Sequence, residues 1–350
     1  MTELSIYFAY PGDLETATGG YHYDRRLIDE LRMAGVAVES IALPHLSLTS
    51  GRHDHKSVQQ TLAALPDQAI VMIDGLAFGV LDDVAVMEAR RLRLVALCHH
   101  PLALESGLDE EQRLALLASE RRALGCAQFT VVTSPHTRQI LIDQYAVPAA
   151  RVVVALPGTD RVPFADCNGD PLRLLTLATL TRRKAHDVLI NALAPLKHLP
   201  WQARFVGGSD FDPAWASSLQ QQVESLNLSQ RICFTGKVDD AQAEYQQADV
   251  FVLPSRFEGY GMVFAEALAA GLPVLAARSG AVAEVVPESA GLLVAPDDTE
   301  ALTDALQQLM TSETLRRRLQ AGARQAAATL PSWADTARLV AQELKVLDGP

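Results

Sequence analysis

The stretch Leu253–Ala276 reads LPSRFEGYGMVFAEALAAGLPVLA. Its pattern predicts the end of a buried strand, a loop broken by glycines, a helix from Met262 to Ala270, and a second strand. The helix is apolar on nearly every face, which is typical of a helix buried between other elements rather than of an amphipathic surface helix. This strand–helix–strand order is the building unit of a parallel α/β sheet.

Glu266 is the exception within that apolar helix. An ionised carboxylate is costly to bury without donors, so we expect the protein or a ligand to supply them. A second carboxylate, Glu258, comes just before Gly259 and Gly261, whose backbone amides suit a diphosphate. A carboxylate also binds vicinal hydroxyls, as in ribose recognition by dinucleotide folds. The pair predicts a nucleotide-sugar site; the alternative is a Glu266 satisfied by backbone amides or an arginine.

The composition sets the scale of the molecule and excludes some classes of function. A chain of 350 residues, 49% of them hydrophobic, is expected to form two domains. The net charge of −12 argues against a nucleic-acid-binding protein and against strong adhesion to anionic membranes, although peripheral membrane contact through a local basic patch stays open.

Neither cysteine spacing nor hydropathy points to an exported or membrane-spanning chain. The four cysteines have no CxxC spacing, so no zinc site or disulfide framework is predicted. No apolar run reaches about 18 residues, and no signal-peptide pattern is present. We therefore expect a soluble, cytoplasmic protein.

Short apolar runs alternate with helical patterns along the whole chain, which predicts two doubly wound, Rossmann-like parallel-sheet domains of the α/β class that face each other across a cleft. The polar segment ADCNGDP is the best linker, so the boundary is placed at 166/167. Residues 1–166, completed by a C-terminal helix within 331–350, form one predicted domain, and residues 167–330 form the other. The predicted strands are Leu4–Ala9, Val36–Leu43, Ala69–Asp74, Arg93–Cys98, Phe129–Thr133, Arg151–Ala155, Leu172–Leu177, Ala203–Val206, Ile232–Thr235, Val250–Leu253, Pro273–Ala277 and Gly291–Val294.

Three strand-to-helix junctions carry residues suited to anions or catalysis. Gly19-Gly20 follows the first strand, where glycines let a ligand approach a helix N-terminus, although the pair lacks the GxGxxG fingerprint and also fits a flexible turn. His99-His100 follows the fourth strand, at the sheet edge where open α/β sheets bind ligands. Lys184, preceded by Arg182 and Arg183, follows the first strand of the second domain and could neutralise phosphate or remain a solvated turn.

Taken together, these segments resemble the retaining glycosyltransferases of the large fourth family, which adopt the two-domain GT-B fold. SRFEGYGMVFAEALAAGLPV (255–274) looks like that family's EX7E signature. The resemblance covers most of the chain. Its other parts are TGGYHYDRRLIDEL (18–31), RVVVALPGTD (151–160), TLATLTRRKAHDVLINAL (176–193) and CFTGKVDD (233–240).

The resemblance implies a role for each matching position. Glu258 would contact the donor sugar, Glu266 the ribose hydroxyls, Lys184 the diphosphate, and His99 the catalytic cleft. The implied catalytic residues are His99, Lys184 and Glu258. The implied donor-binding residues are Gly19, Gly20, Arg183, Lys184, Gly207, Val238, Glu258, Gly259, Tyr260, Gly261, Met262 and Glu266. The candidate acceptor-binding residues are Tyr21, His100 and Glu105.

Two positions depart from the family pattern. The family has an arginine five positions before its lysine, where this chain has Thr179, and a glycine after the lysine, where this chain has Ala185. Arg182 or Arg183 could supply the missing cation. The choice between His99 and His100 as the cleft histidine also stays open.

The implied activity is a metal-independent hexosyl transfer from a UDP- or GDP-linked sugar to a glycan, lipid or small-molecule acceptor, with retention of anomeric configuration and no cofactor. Two alternatives keep the fold: a sugar-nucleotide epimerase or phosphorylase-like enzyme, and a non-catalytic sugar-nucleotide-binding subunit, which the absence of arginine at Thr179 favours. A nicotinamide dehydrogenase is disfavoured because no GxGxxG follows the first strand.

Overall fold

The computed structural model of the chain describes residues 4–46, 52–105 and 107–349. The chain folds into two compact units. The first unit is Met1–Gly158 together with Pro331–Pro350, and the second unit is Thr159–Leu330.

Twelve strands form two parallel sheets of six. The strands are Ser5–Pro11 (β1), Ala37–Leu43 (β2), Ile70–Asp74 (β3), Arg93–Cys98 (β4), Phe129–Val132 (β5), Val152–Val154 (β6), Leu172–Leu177 (β7), Trp201–Val206 (β8), Ile232–Gly236 (β9), Val250–Leu253 (β10), Val274–Ala277 (β11) and Gly291–Val294 (β12). Every predicted strand is present, with ends that differ by at most two residues. The predicted α/β class with two doubly wound parallel sheets is confirmed.

Fourteen α-helices connect and flank the strands in the described part of the chain. They are Gly19–Met33 (α1), Arg52–Ala63 (α2), Gly75–Phe78 (α3), Asp82–Glu88 (α4), Glu110–Gly125 (α5), Pro135–Tyr145 (α6), His186–Leu193 (α7), Pro213–Ser225 (α8), Ala241–Gln246 (α9), Met262–Ala269 (α10), Val282–Val285 (α11), Thr299–Thr311 (α12), Glu313–Ala327 (α13) and Trp333–Asp348 (α14). None of these helices is long and apolar enough to cross a bilayer.

The strand order of each sheet determines which loops come together. The sheet of the first unit runs β2-β1-β3-β4-β5-β6, and that of the second runs β12-β11-β10-β7-β8-β9. The order reverses between β1 and β3 in the first sheet and between β7 and β10 in the second. Loops that leave neighbouring strands in opposite directions open a crevice at the carboxyl edge, so both reversal points are natural ligand sites.

Local capping explains where several helices begin. The side chain of Thr18 accepts from the amide of Tyr21 at the start of α1. Asp109 with Gln112 forms a capping box ahead of α5, and Ser332 with Asp335 does so ahead of α14. These caps satisfy amide groups that have no partner inside the helix. The residues just ahead of each helix therefore determine where it begins.

The units divide between Gly158 and Thr159, upstream of the predicted 166/167 boundary. The linker segment explains the difference, because its residues already pack within the second unit. The amide of Ala165 donates to the carbonyl of Ala270 at 2.8 Å, and the guanidinium of Arg324 lies 5.0 Å from the ring centroid of Phe164.

Helix α14 belongs to the first unit although it ends the chain. Trp333 is 3% exposed and makes edge contacts with the rings of His22 and Tyr23, at centroid distances of 5.8 and 5.5 Å. The hydroxyl of Thr336 donates to the carbonyl of Leu156 at 2.7 Å. Burial of Trp333 together with this hydrogen bond holds the helix onto the unit.

Candidate functional site

Two loops meet at the reversal point of the second sheet. One follows β7 and carries Arg182, Arg183 and Lys184, and the other follows β10 and carries Glu258. The two strands are parallel neighbours, with Val250 opposite Leu174 and Phe251 opposite Leu175. Because their carboxyl ends lie side by side, residues more than seventy positions apart in sequence are brought into contact.

Glu258 is the centre of that contact. Its carboxylate lies 2.6 Å from the Nζ of Lys184 and 3.3 Å from Nη1 of Arg183, and the residue is only 4% exposed. Burial alone would raise the pKa of Glu258, but Lys184 and Arg183 outweigh it and hold that pKa below its ordinary value. The carboxylate is therefore a fixed anion, and two cations face it.

The two neighbouring arginines have different surroundings. Arg183 donates to the carbonyl of Phe257 at 3.0 Å as well as facing Glu258. The guanidinium of Arg182 instead lies 4.3 Å from the ring centroid of Trp215, with Asp212 at 3.9 Å. Arg183 is thus the arginine next to the lysine–glutamate pair, and Arg182 lies against α8.

Arg256 joins the two loops. Its amide donates to the carbonyl of Arg183 at 2.8 Å, and its guanidinium pairs with Asp187 at 2.9 Å and Asp297 at 2.7 Å. The same guanidinium donates to the carbonyl of Arg182. This residue was not predicted from the sequence as part of the site, because its role depends on contacts between segments distant in the chain.

Two glycines fix the backbone beside Glu258. Gly261, which caps α10, has φ +85°, and a Cβ there would lie 2.5 Å from the ring of Phe264. Gly280 has φ +55°, and a Cβ there would lie 2.0 Å from the carbonyl oxygen of Glu258. That carbonyl accepts from the amide of Ala281 at 2.9 Å. Positive φ and close approach both require glycine at these positions.

Glu266 is half-buried, and its carboxylate has a protein donor. The hydroxyl of Tyr245 lies 2.8 Å from Oε2 of Glu266 and 3.3 Å from the carbonyl of Val263. Burial raises the pKa of Glu266, the Tyr245 hydrogen bond lowers it, and Asp160 raises it further. The expected donor is thus a phenol rather than the arginine or backbone amides considered from the sequence.

The other predicted donor-binding residues of the second unit lie at the same sheet edge. Gly207 follows β8 with φ +155°, where a Cβ would lie 1.9 Å from the carbonyl of Ala178. Val238 is half-buried beyond β9, Tyr260 is buried, and Met262 is the first residue of α10. Gly207 and Val238 extend the carboxyl edge from β10 towards β8 and β9, and Tyr260 and Met262 follow β10 itself.

The first unit has a second group of polar side chains at its own carboxyl edge. His99, directly after β4, has Nε2 at 3.0 Å from Asp24 Oδ1 and 3.3 Å from Asp74 Oδ2. Asp24 is 0% exposed and Asp74 1% exposed. The contributing elements are α1, the end of β3 and the end of β4. Asp24 and Asp74 were not identified from sequence, although Asp24 shares the buried helical face of Tyr21, Leu27 and Ile28.

Gly20 is in contact with that histidine. A Cβ at Gly20 would lie 3.3 Å from Cδ2 of His99, whereas a Cβ at Gly19 would meet nothing within 4 Å. Tyr21 is buried, and its hydroxyl donates to the carbonyl of Pro11 at 2.6 Å. The glycine loop and His99 are therefore brought together, while the Tyr21 hydroxyl anchors the loop after β1.

The side chain of His100 faces a different partner from that of His99. Its Nε2 lies 3.0 Å from Oε2 of Glu105. The buried carboxylate of Glu120 accepts from the amide of Leu102 at 3.1 and 3.0 Å, which holds the segment that links the two residues. Burial raises the pKa of Glu120 to about 7, against the lowering effect of that amide. Glu120 was missed from sequence because its helix looks like a solvated charged surface.

One set of side chains in the described ranges has the spacing of metal ligands. Oxygen atoms of Asp24 and Asp74 and a nitrogen of His99 lie within 4.8 Å of one another. Two carboxylates and an imidazole are ligands that zinc or manganese accepts. The distances from His99 Nε2 to the two carboxylate oxygens, 3.0 and 3.3 Å, are also those of hydrogen bonds between the ring and the carboxylates.

Comparison with known proteins places this fold among glycosyltransferases. Residues 164–326 match the family model described as "Glycosyl transferases group 1". The chain is 29% identical over 238 residues to mannosylfructose-phosphate synthase of Agrobacterium fabrum, covering 62% of this chain and 52% of that protein. The chain spans about half the length of the curated relatives it matches.

Two solved structures extend the likeness to the whole chain. Sucrose-phosphate synthase from Thermosynechococcus elongatus superposes with a TM-score of 0.81 at 23% identity, covering 98% of this chain and 99% of that one. Anabaena Alr3699/HepE in complex with UDP-glucose superposes with a TM-score of 0.79 at 18% identity, covering 97% and 100%. The GT-B fold expected from the sequence is confirmed.

Proposed function

We propose that this protein is a retaining glycosyltransferase that moves a hexosyl group from a UDP- or GDP-linked sugar to an acceptor hydroxyl. The observation that carries the proposal is the Lys184–Glu258–Arg183 cluster at the reversal point of the second sheet, with Glu266 at the EX7E spacing. It is supported by the group 1 match over residues 164–326 and by relatives named for sugar transfer.

The charge of the cluster suits a diphosphate leaving group. Two cations, Lys184 and Arg183, lie beside the Glu258 carboxylate at the carboxyl edge of the second sheet. As the bond to the sugar breaks, negative charge grows on the departing diphosphate, and fixed cations stabilise that charge without reorganisation. Lys184 supplies a compact charge and Arg183 a planar pair of donors. We propose that these groups, rather than a metal ion, neutralise the leaving group.

The two carboxylates hold opposite ends of the donor in this proposal. Glu258, ionised and fixed by its cations, accepts hydrogen bonds from hydroxyls of the transferred sugar. Glu266, held by a single neutral phenol, accepts from the ribose hydroxyls. Gly259 and Gly261 bring backbone close to the diphosphate between them. The acceptor then attacks from the face that the diphosphate leaves, with a phosphate oxygen as its base, so the anomeric configuration is retained.

The test is consumption of a sugar nucleotide by the full chain. Purified protein is incubated with UDP- and GDP-linked hexoses and a mixture of glycan, lipid and small-molecule acceptors, and the released nucleoside diphosphate is measured. We expect one donor to be consumed only when acceptor is present, and proton NMR of the product to show the donor's anomeric configuration. Inverted product, or an isomerised donor with no diphosphate released, would reject the proposed reaction.

A further inference from the structure

The ring of His99 is held from one side by two buried carboxylates. Nε2 faces Asp24 Oδ1 at 3.0 Å and Asp74 Oδ2 at 3.3 Å, so both contacts are made by the same ring nitrogen. The edge of the Tyr23 ring packs against the imidazole at a centroid distance of 5.2 Å. The carbonyl of His99 accepts from the hydroxyl of Thr133 at 3.1 Å. Backbone and ring are thus both fixed.

Nε2 carries a proton in this arrangement when both carboxylates are ionised. A neutral ring with an unprotonated Nε2 would direct a lone pair at two carboxylate oxygens, which offer no proton when they are ionised. Asp74 uses its other oxygen, Oδ1, to accept from the amide of Leu76 at 2.8 Å. Asp24 Oδ2 is buried and has no hydrogen-bond partner among the described residues. The imidazole is therefore the main compensation for the Asp24 charge.

The phenols of Tyr21 and Tyr23 and the thiol of Cys98 are neutral neighbours of the ring. Burial raises the pKa of Tyr21 to about 12, and burial together with Asp24 raises that of Tyr23. Burial also raises the pKa of Cys98, which precedes the histidine on β4. The neighbouring His100 faces Glu105. The charges that face His99 are thus the two carboxylates, and both favour a cationic ring.

We propose that Asp24 and Asp74 are positioning residues that hold His99 as an imidazolium, so that its Nδ1 acts as a hydrogen-bond donor to a substrate oxygen and not as a general base. The two N–H directions of an imidazole diverge, so a ring with Nε2 turned into the carboxylates presents Nδ1 on its other side. The ring stays 16% exposed. This inference rests on the proposed function only in taking the substrate to be the sugar nucleotide or its acceptor.

The electrostatic balance agrees with the geometry. Burial alone would lower the pKa of His99, but the charges and hydrogen bonds of Asp24 and Asp74 outweigh it and raise the pKa well above its ordinary value. A raised pKa keeps the ring protonated across neutral and mildly alkaline pH, where an ordinary histidine with a pKa of about 6.5 is neutral. A metal ion bound by the same three residues would require the opposite state, an unprotonated Nε2.

Nitrogen NMR of the full chain tests the protonation state without any need for turnover. Protein labelled with 15N-histidine and treated with a chelator is recorded at pH 8.5, and His99→Gln identifies the His99 signals. We expect both ring nitrogens of His99 to be protonated. His186 is an internal neutral reference, because burial, reinforced by Lys184, lowers its pKa to about 3, and neither ring nitrogen has a hydrogen-bond partner within the described ranges.

Amide variants of the two carboxylates complete the NMR experiment. Asp24→Asn and Asp74→Asn keep the side-chain shape and remove one charge each, and in the second the amide oxygen can still accept from Leu76. We expect the His99 ring to be neutral at pH 8.5 in at least one variant. A neutral His99 ring in the wild-type protein would overturn the proposal. So would an Nε2 signal displaced by added zinc or manganese, which would indicate a metal site.

The pH dependence of kcat/KM gives the functional readout. In the wild type we expect no loss from His99 ionisation between pH 6 and 8.5. In the variant whose His99 ring is neutral at pH 8.5, kcat/KM should approach the wild-type value at pH 6 and fall with rising pH, by about tenfold for each pH unit above the pKa of the ring in that variant. A loss in that variant that is equal at every pH would mean a purely structural role and would refute the inference. If no donor turns over while NMR shows a protonated ring, the proposed function fails. The inference that Asp24 and Asp74 hold His99 as an imidazolium then stands.

Discussion

Glu258 and Glu266 differ in what holds them, and this difference decides what each can do. Glu258 faces two cations, whereas Glu266 is held by the neutral hydroxyl of Tyr245. Since the Tyr245 hydroxyl is the hydrogen-bond partner of this carboxylate among the described residues, most of its acceptor capacity stays open to a ligand. The arrangement therefore favours Glu266 as the ribose-binding residue and Glu258 as the fixed partner of the cations.

Replacing Glu266 by glutamine should weaken nucleotide binding. The amide accepts fewer and weaker hydrogen bonds than the carboxylate, and loss of charged hydrogen bonds costs about 1.5–3 kcal/mol, or roughly 10- to 100-fold in affinity. Calorimetric titration with UDP and GDP measures the effect. Tyr245→Phe is the matched control, since it removes the phenol and leaves the carboxylate. Equal affinity of Glu266→Gln and wild type would refute the ribose assignment.

The raised pKa of Glu120 predicts that the free energy of unfolding depends on pH. Its pKa of about 7 in the folded state lies above the ordinary value of 4.5, so the folded protein binds the extra proton and its stability falls as the pH rises from about 4.5 through 7. Glu120→Gln removes this dependence, so the variant should gain stability relative to wild type between pH 5 and 8, as measured by urea unfolding.

The exposed Glu110 on the same helix provides the control for Glu120. Its pKa is lowered by the Arg113 hydrogen bond, so it is ionised in the folded and unfolded states throughout that pH range. Glu110→Gln should show a stability difference from wild type that is constant from pH 5 to 8. A similarly constant difference for Glu120→Gln would contradict a raised pKa at Glu120.

Some site residues could be predicted from sequence and others could not, for a physical reason. His99 follows β4 directly, and Glu258 and Lys184 lie in the loops that follow β10 and β7, so chain order alone places them at a carboxyl edge. Asp24 and Arg256 act through partners far away in sequence, at His99 and at Asp187 and Asp297. The local sequence pattern does not indicate such pairings, because they depend on the order of the strands in the folded sheet.

At the scale of elements, Gly280 controls the loop that carries Glu258. Alanine there would combine an unfavourable φ of +55° with a Cβ 2.0 Å from the Glu258 carbonyl oxygen. We expect Gly280→Ala to lose about 1 kcal/mol or more of stability and to weaken nucleotide binding, because the loop must shift. Thermal unfolding and calorimetry measure both effects. Gly125→Ala is the control, because a Cβ there meets nothing within 4 Å. Unchanged nucleotide binding in Gly280→Ala would show that the conformation of this loop does not matter for binding.

Trp333 is the largest of the buried side chains of helix α14. Trp333→Ala removes a ring that is 3% exposed, and such truncations cost about 3–5 kcal/mol. The expected result is a lower urea midpoint for the first unit, followed by circular dichroism. Val346→Ala on the same helix is the control, since Val346 is 76% exposed. A Trp333→Ala protein as stable as the control would mean that the helix contributes little to the unit.

The strands were predictable because they are short apolar runs buried in parallel sheets, a local signal. The boundary between units was not, because the polar segment before Leu172 resembles a linker in composition yet packs within the second unit through Ala165 and Phe164. The structure also contains short helices between β3 and β4 that the sequence pattern did not predict. Four to seven residues are too few for a clear helical period.

At the scale of the whole molecule, two similar sheets carry different chemistry at the same kind of edge. The second unit presents cations with a buried carboxylate, and the first presents a histidine clamped by two buried carboxylates. The chain as a whole is acidic, with a net charge of −12, so the cations of the second unit are a local exception. A local cation pair in an acidic protein favours a specific anionic ligand over non-specific binding to polyanions.

The central claim is that Lys184, with Arg183, binds the diphosphate of a nucleotide sugar, and one calorimetric titration tests it most directly. UDP, GDP and the corresponding nucleosides are titrated into wild type, Lys184→Ala and Lys197→Ala, the last being an exposed lysine beyond α7. We predict that one diphosphate binds wild type and Lys197→Ala equally, and binds Lys184→Ala at least about tenfold more weakly, because a charge-assisted contact is lost. Affinity for the nucleoside should not change. Equal diphosphate affinity in Lys184→Ala and wild type would contradict the account.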